Sequence, residues 1–251
     1  MRKFLIFGLL VIASCAKPIH LPSYDDFVSV RKQAVPATVL EIYGRLTAKA
    51  SGKSVKASFN LLLEPGKRAY LEILGPGQQM TFAFALNTNQ LTLLWAKERE
   101  YITEDATPQN LQAIAGFPVQ PDDLLLLMAG YGLNFPEWKA DQPQKDGWIL
   151  QRPPFSARLA MKNEISRITV SSATSPEVRI EYSDYQRMND RLVPRSIRME
   201  APASRTALKL QIDKFLPRDE PEAPDLFEVQ LPPDAKKLTL REIYTGKPLI
   251  Y

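Results

Sequence analysis

The sequence predicts a mainly β, antiparallel fold with a pair of helices inserted in mid-chain. Three observations carry this. Between residues 38 and 104 apolar side chains recur at every second position, the period of a half-buried strand. The runs are divided by short segments rich in Pro, Gly and Asn, and the chain's 21 prolines fall mostly between apolar runs. Over residues 107–130 the period turns helical, and strand-like runs resume afterwards.

The N-terminus comes first. Arg2 and Lys3 precede an apolar stretch at 4–13, too short for a bilayer span of about 20 residues. This is the pattern of a secretory signal. Cys15 is the only cysteine of the 251 residues, so it has no intramolecular disulfide partner. Ile12-Ala13-Ser14-Cys15 resembles the bacterial lipobox. That resemblance implies that 1–14 is a removed signal peptide and that Cys15 is acylated and anchors the chain. Ala16 in place of Asp favours the outer membrane, and 15–22 reads as a lipidated tether. Ser23 and Asp26 form a variant capping box, which predicts a short helix over 24–34.

Strands follow. Leu40, Ile42, Gly44 and Leu46 alternate with polar neighbours, as do Val55, Ala57, Phe59, Leu61 and Leu63. A turn at Glu64-Pro65-Gly66-Lys67 leads into Ala69, Leu71 and Ile73. Gly75-Pro76-Gly77 turns the chain into Met80, Phe82, Phe84 and Leu86; Leu91, Leu93 and Trp95 come next, then a sixth strand over 100–103. Six strands with short turns make a meander whose apolar face must be covered, by closure into a barrel or by another layer.

Thr107-Pro108 is a helix start, with Thr as cap and Pro in the first turn. Leu111 and Ile114 line that helix; Leu124, Leu127 and Met128 line a second one beginning at Pro121. The pair is placed to plug or cover the sheet. Further strands are expected at 148–151, 157–161, 165–170, 178–182, 197–200 and 207–212, with a possible last one at 227–231 after a proline-rich linker. The total is eleven or twelve.

The composition argues against several function classes. Net charge is +4, and without Arg2 and Lys3 the chain carries 30 basic against 28 acidic side chains, too weak a bias for a nucleic-acid partner. The one histidine, His20, lies in the tether. No Ser-His or Cys-His pair and no His/Cys metal site can be built in the folded domain, and no phosphate-binding motif is present. Asp25-Asp26 and Asp122-Asp123 sit in first turns of expected helices, where acids offset the dipole. The expectation is a non-enzyme without cofactor or metal. What remains is the apolar face: Phe59, Leu61, Leu71, Ile73, Phe82, Phe84, Leu93 and Trp95 point one way. They form either a packed core or the lining of a cavity, and periodicity does not separate the two.

Gly44-Arg45-Leu46, AYLEILGP (69–76), Tyr101 ahead of a helix, LLLLMAGYGL (124–133), VPRSIRME (193–200) and LKLQID (208–213) together resemble the LolB family of outer-membrane lipoproteins, over about residues 23–216. The resemblance implies a half-open antiparallel barrel of about eleven strands around an apolar cavity, with the mid-chain helices as lid. It implies a ligand of acyl chains, on a lipoprotein or a lipid, handed over by a LolA-like periplasmic carrier. The family carries a protruding leucine between its third and fourth strands. Here the tip is Gly77, flanked by Leu74 and Met80 as candidate membrane-facing residues. A second departure is the extension 217–251, in which FEVQLPP (227–233) resembles the C-terminal end of LolA-type proteins. The other function class compatible with these residues is an envelope assembly lipoprotein that uses the same fold as a protein-interaction scaffold.

Overall fold

The computed structural model describes residues 39–50, 53–115, 119–128, 139–144, 147–153, 155–162, 164–172, 178–188, 191–218 and 223–244. The signal sequence, Cys15, the tether and the expected helix at 24–34 lie outside these residues.

The first half is a meander of β1 (Val39–Ala50), β2 (Lys53–Glu64), β3 (Arg68–Leu74), β4 (Met80–Asn87), β5 (Gln90–Trp95) and β6 (Glu100–Asp105). Two helices follow, α1 (Pro108–Ala115) and α2 (Pro121–Met128). The second half is β7 (Lys139–Gln144), β8 (Gly147–Arg152), β9 (Phe155–Lys162), β10 (Glu164–Ser172), β11 (Arg179–Met188), β12 (Arg191–Ala201) and β13 (Thr206–Arg218). A two-residue β14 (Lys236–Lys237) and the short α3 (Leu240–Tyr244) end the described chain.

All these strands form one open sheet, in the order β14-β6-β5-β4-β3-β2-β1-β13-β12-β11-β10-β9-β8-β7. Every pairing is antiparallel except β14 on β6. The long β1 sits in the middle, paired to β2 on one side and to β13 on the other. Register shifts at Tyr43/Gly44, Ile73/Leu74, Ala140/Gln142 and Ile165/Arg167 bend the strands. An open sheet this wide curls rather than lying flat. Residues from both ends of the strand order, such as Ile102 and Leu150, therefore join one hydrophobic cluster. The expected half-open antiparallel architecture is present, with thirteen antiparallel strands among the described residues rather than about eleven.

Topology also places the helices. The chain leaves β6 near one edge of the sheet and must reach β7 at the other. The connection that carries α1 and α2 thus crosses the concave side. Both helices begin as the sequence predicts: the Asn110 amide donates to Thr107 Oγ1 at 3.1 Å, and Pro108 stands in the first turn of α1. At the β2–β3 turn Gly66 takes φ +75, and the Lys67 amide closes the turn on the Glu64 carbonyl at 3.0 Å.

One strand lies outside the expected set, and one expectation is corrected. β7 has no apolar alternation in KADQPQ; it holds its place as an edge strand, where Pro143 sacrifices no ladder bond that the sheet needs. The run 227–231 is not a strand. Pro224–Phe227 makes a 3-10 turn, and Pro232 and Pro233 lack the amide donors a ladder requires. The extension instead pairs at Lys236–Lys237, where the Lys236 and Leu238 amides donate to the carbonyls of Arg99 and Tyr101 at 2.8 and 2.7 Å.

Candidate functional site: the concave face and its helices

The eight residues expected on one apolar face do lie together. Phe59, Leu61, Ile73, Phe84, Leu93 and Trp95 are buried in the main cluster, and Leu71 and Phe82 pack against it half-buried. Local geometry explains how the rings fit. A Cβ on Gly44 would stand 2.9 Å from Phe59 Cε1 and 2.1 Å from the Gln211 carbonyl oxygen. Only glycine lets β1, β13 and the Phe59 ring approach so closely. Phe82 and Trp95, paired across β4 and β5, meet edge to face with centroids 6.0 Å apart.

Leu111 and Ile114 of α1, and Leu124, Leu127 and Met128 of α2, belong to the same cluster. The helices therefore occupy the hollow of the sheet. A buried polar contact ties α2 to the sheet: Tyr182 Oη, fully buried on β11, donates to the Leu127 carbonyl at 2.9 Å. Burial pushes the Tyr182 phenol far above its ordinary range, so it stays a donor. Tyr185 lies close by, and its phenol is raised by burial and by Tyr182. Asp184 between them takes φ +59, which breaks the alternation of β11. Tyr185 Oη and Trp95 Nε1 are buried and have no hydrogen-bond partner among the described residues. The interior is thus almost wholly apolar, with a few buried donors. Among the described residues no three His, Cys, Asp or Glu side chains approach closely enough to hold a metal ion.

The β3–β4 loop is placed at one end of the sheet. Gly77 has φ +76, and a Cβ there would meet nothing within 4 Å, so the tip stands free. Leu74 and Met80 face each other across the loop base, both half-buried. Beside the loop, on the outer face of β13, β1 and β2, runs a groove of about 600 Å³ flanked by Arg45, Lys56 and Lys209.

Sequence reasoning missed a second buried patch. Ala83, Leu94 and Phe227 are buried yet stand outside the main cluster. Ala83 and Leu94, paired across β4 and β5, lie on the outer face of the sheet, and Phe227 belongs to the C-terminal extension. Phe227 anchors it, with the Arg68 guanidinium 4.2 Å from the ring centroid. Beside this anchor a cavity of about 450 Å³ opens between the extension and Arg68, Asn87, Gln90, Thr92 and Thr103. Leu238 then turns the sheet edge and enters the main cluster. The signal was the run Leu93-Leu94-Trp95: three consecutive apolar residues imply a strand buried on both faces.

The family model of the outer membrane lipoprotein LolB matches residues 39–215 of the chain. The chain belongs to the LolB family. Like that family, it takes part in lipoprotein localisation in the general sense. Its fold is similar to that of an outer membrane lipoprotein-sorting protein domain from Vibrio parahaemolyticus, at 10% identity and a TM-score of 0.56, over 80% of this chain and 94% of that one. It is also similar to a LolA superfamily protein from Nitrosomonas europaea, at 11% identity and a TM-score of 0.50, over 80% and 96% of the two chains. A DUF1329 family protein from Desulfovibrio piger shares the fold at 12% identity and a TM-score of 0.51, over 82% and 95%. No curated protein matches the chain in sequence. The LolB match begins at β1 and ends within β13, so it takes in both halves of the sheet and both helices and leaves out the C-terminal extension.

Proposed function

We propose that this chain is anchored in the outer membrane through acylated Cys15 and accepts acyl chains of lipoproteins or lipids between the concave sheet and its two helices. It acts without cofactor and without covalent chemistry. The observation that carries the reading is the seating of α1 and α2. They fill an apolar hollow and belong to one connection between the sheet edges, packed there by Leu111, Ile114, Leu124, Leu127 and Met128. Such helices can move aside as a lid while the sheet keeps its ladder intact.

The energetics fit. An acyl chain gains about 0.8 kcal/mol per methylene on leaving water, so an apolar hollow competes with a bilayer for it. Handover from a LolA-like carrier then needs only a modest difference in affinity. Buried donors such as Trp95 Nε1 and Tyr185 Oη suit an ester or amide carbonyl at the head of the chain. Leu74, Gly77 and Met80 are the residues assigned to the membrane side.

The test is binding of a fluorescent fatty acid by the protein lacking residues 1–15. Phe82→Asn or Leu127→Asn is expected to weaken binding at least tenfold, and Gln78→Ala is expected to leave it unchanged. No binding by a folded protein overturns the reading. A scaffold role is favoured by one observation: Leu226 and Leu231 on the extension are 49% and 38% exposed. It predicts co-purification with envelope proteins and no bound lipid.

A further inference from the structure

We propose that the groove beside the β3–β4 loop is a docking site for anionic phospholipid headgroups, so that the loop end of the sheet rests on a negatively charged bilayer surface. This rests on the reading of that loop as membrane-facing, and adds the chemistry that holds it there.

The argument starts from charge. Arg45, Thr47 and Lys49 of β1 point to the outer face. Cross-strand register sets Lys56 and Lys209 on either side of Thr47, and Ser58 and Gln211 on either side of Arg45. Strands stand 4.7–4.9 Å apart, so Lys56 and Lys209 flank a slot about 10 Å wide. Over residues 45–58 and 195–213 the described strands carry seven basic and two acidic side chains, against a net +4 for the whole chain. The two acids are engaged: Asp213 with Arg45 at 3.0 Å, and Glu200 with Arg198 at 2.5 Å. Lys56 and Lys209 have no ion-pair partner among the described residues.

The groove is therefore cationic, and one of its walls is the loop, with Leu74 and Pro76. Basic side chains beside a loop based on Leu74 and Met80 fit a bilayer interface, where headgroup phosphates meet the cations. The end of β1, the start of β2 and the β12–β13 turn lie at the same end of the sheet. An anchor at Cys15 permits this orientation although β1 begins at the opposite end. The 24 residues from Cys15 to Val39 span up to about 80 Å when extended, against about 40 Å for β1.

The test uses the whole protein as its host cell processes it, carrying Gln79→Cys labelled with a polarity-sensitive fluorophore. It is reconstituted into vesicles of phosphatidylcholine alone or with phosphatidylglycerol added. Gln79 is exposed and has an extended backbone, so the label fits. The expected result is a blue shift in phosphatidylglycerol vesicles only, reversed by salt. Lys56→Glu with Lys209→Glu is expected to lower the docked population about thirtyfold or more. The matched pair Lys236→Glu with Lys237→Glu, exposed but remote from the groove, is expected to retain the shift. An identical emission in both lipids overturns the proposal, as does a shift that survives reversal of Lys56 and Lys209. A label unmoved by lipid but shifted by a LolA-type carrier overturns it in favour of that carrier. Fatty-acid binding by the opposite face is measured separately and is expected to be unchanged by the double reversal, so the two readings fail independently.

Discussion

Tyr182 Oη donates a 2.9 Å hydrogen bond to the carbonyl of Leu127, in the last turn of α2. This joins the second half of the sheet to the helix that fills its hollow. Tyr182→Phe keeps the ring and removes the donor. It leaves a buried carbonyl without that partner, at a cost of about 1–3 kcal/mol. The expected outcome is a lower urea midpoint together with faster uptake of a fatty-acid probe, because the lid opens more readily. Urea titration and stopped-flow fluorescence check the two halves.

Phe227 is buried in the C-terminal extension with the Arg68 guanidinium against its ring. Phe227→Ala removes a buried ring and leaves a void, which costs about 3–5 kcal/mol in a well-packed site. The loss is expected mainly in the extension, since the LolB match covers the sheet without it. Proteolysis that cuts near residue 227 in the variant, and spares the wild type, is the readout.

Glu64 is 4% exposed at the β2–β3 turn, with Lys67 Nζ at 2.6 Å and Arg68 Nε at 2.7 Å. Burial alone would raise its carboxyl. The two hydrogen bonds and the two positive charges outweigh burial and hold it below its usual value. A lowered carboxyl contributes stability that is fully present above the unfolded value of about 4.3 and is lost as pH falls through the lower folded value. Glu64→Gln is therefore expected to lower stability at neutral pH and to flatten the acid limb below about pH 4. Unfolding curves at several pH values measure both.

Gly77 stands at φ +76 with open space around a built Cβ. Gly77→Leu places at this tip the leucine that the resemblance to LolB implies for the loop. The left-handed backbone costs about 1–2 kcal/mol for a residue with a Cβ. Membrane insertion of a bound lipoprotein, measured by transfer to vesicles, is expected to rise in this variant despite the lower stability.

Much of this fold is legible in the residues. The period-two runs give β1 through β6 because each has one face in the core, although around Ala83 and Leu94 the outer face is buried as well. Thr107-Pro108 and Pro121 place the helices for reasons of capping and φ restriction. The inward set from Phe59 to Trp95 follows from the same alternation. Other parts leave no local trace. β7 is defined by its neighbour β8, not by its own pattern. The extension is held by Phe227, by the pairing at Lys236–Lys237 and by Leu238, isolated points that generate no period. The groove cations lie on the consecutive strands β1 and β2 and on β13, far later in the chain, so only the register of β13 on β1 brings Lys209 opposite Lys56 across Thr47.

The central claim is that an acyl chain lies between the concave sheet and α2. A photoactivatable fatty acid, bound and cross-linked, tests it most directly by mass spectrometry of the labelled peptides. The predicted result is labelling on the inward residues of β2 to β5, such as Phe59, Phe82 and Trp95, and on Leu127 of α2. Labelling confined to the outer face, around Leu226 and Leu231, or none at all on the folded protein, would contradict it.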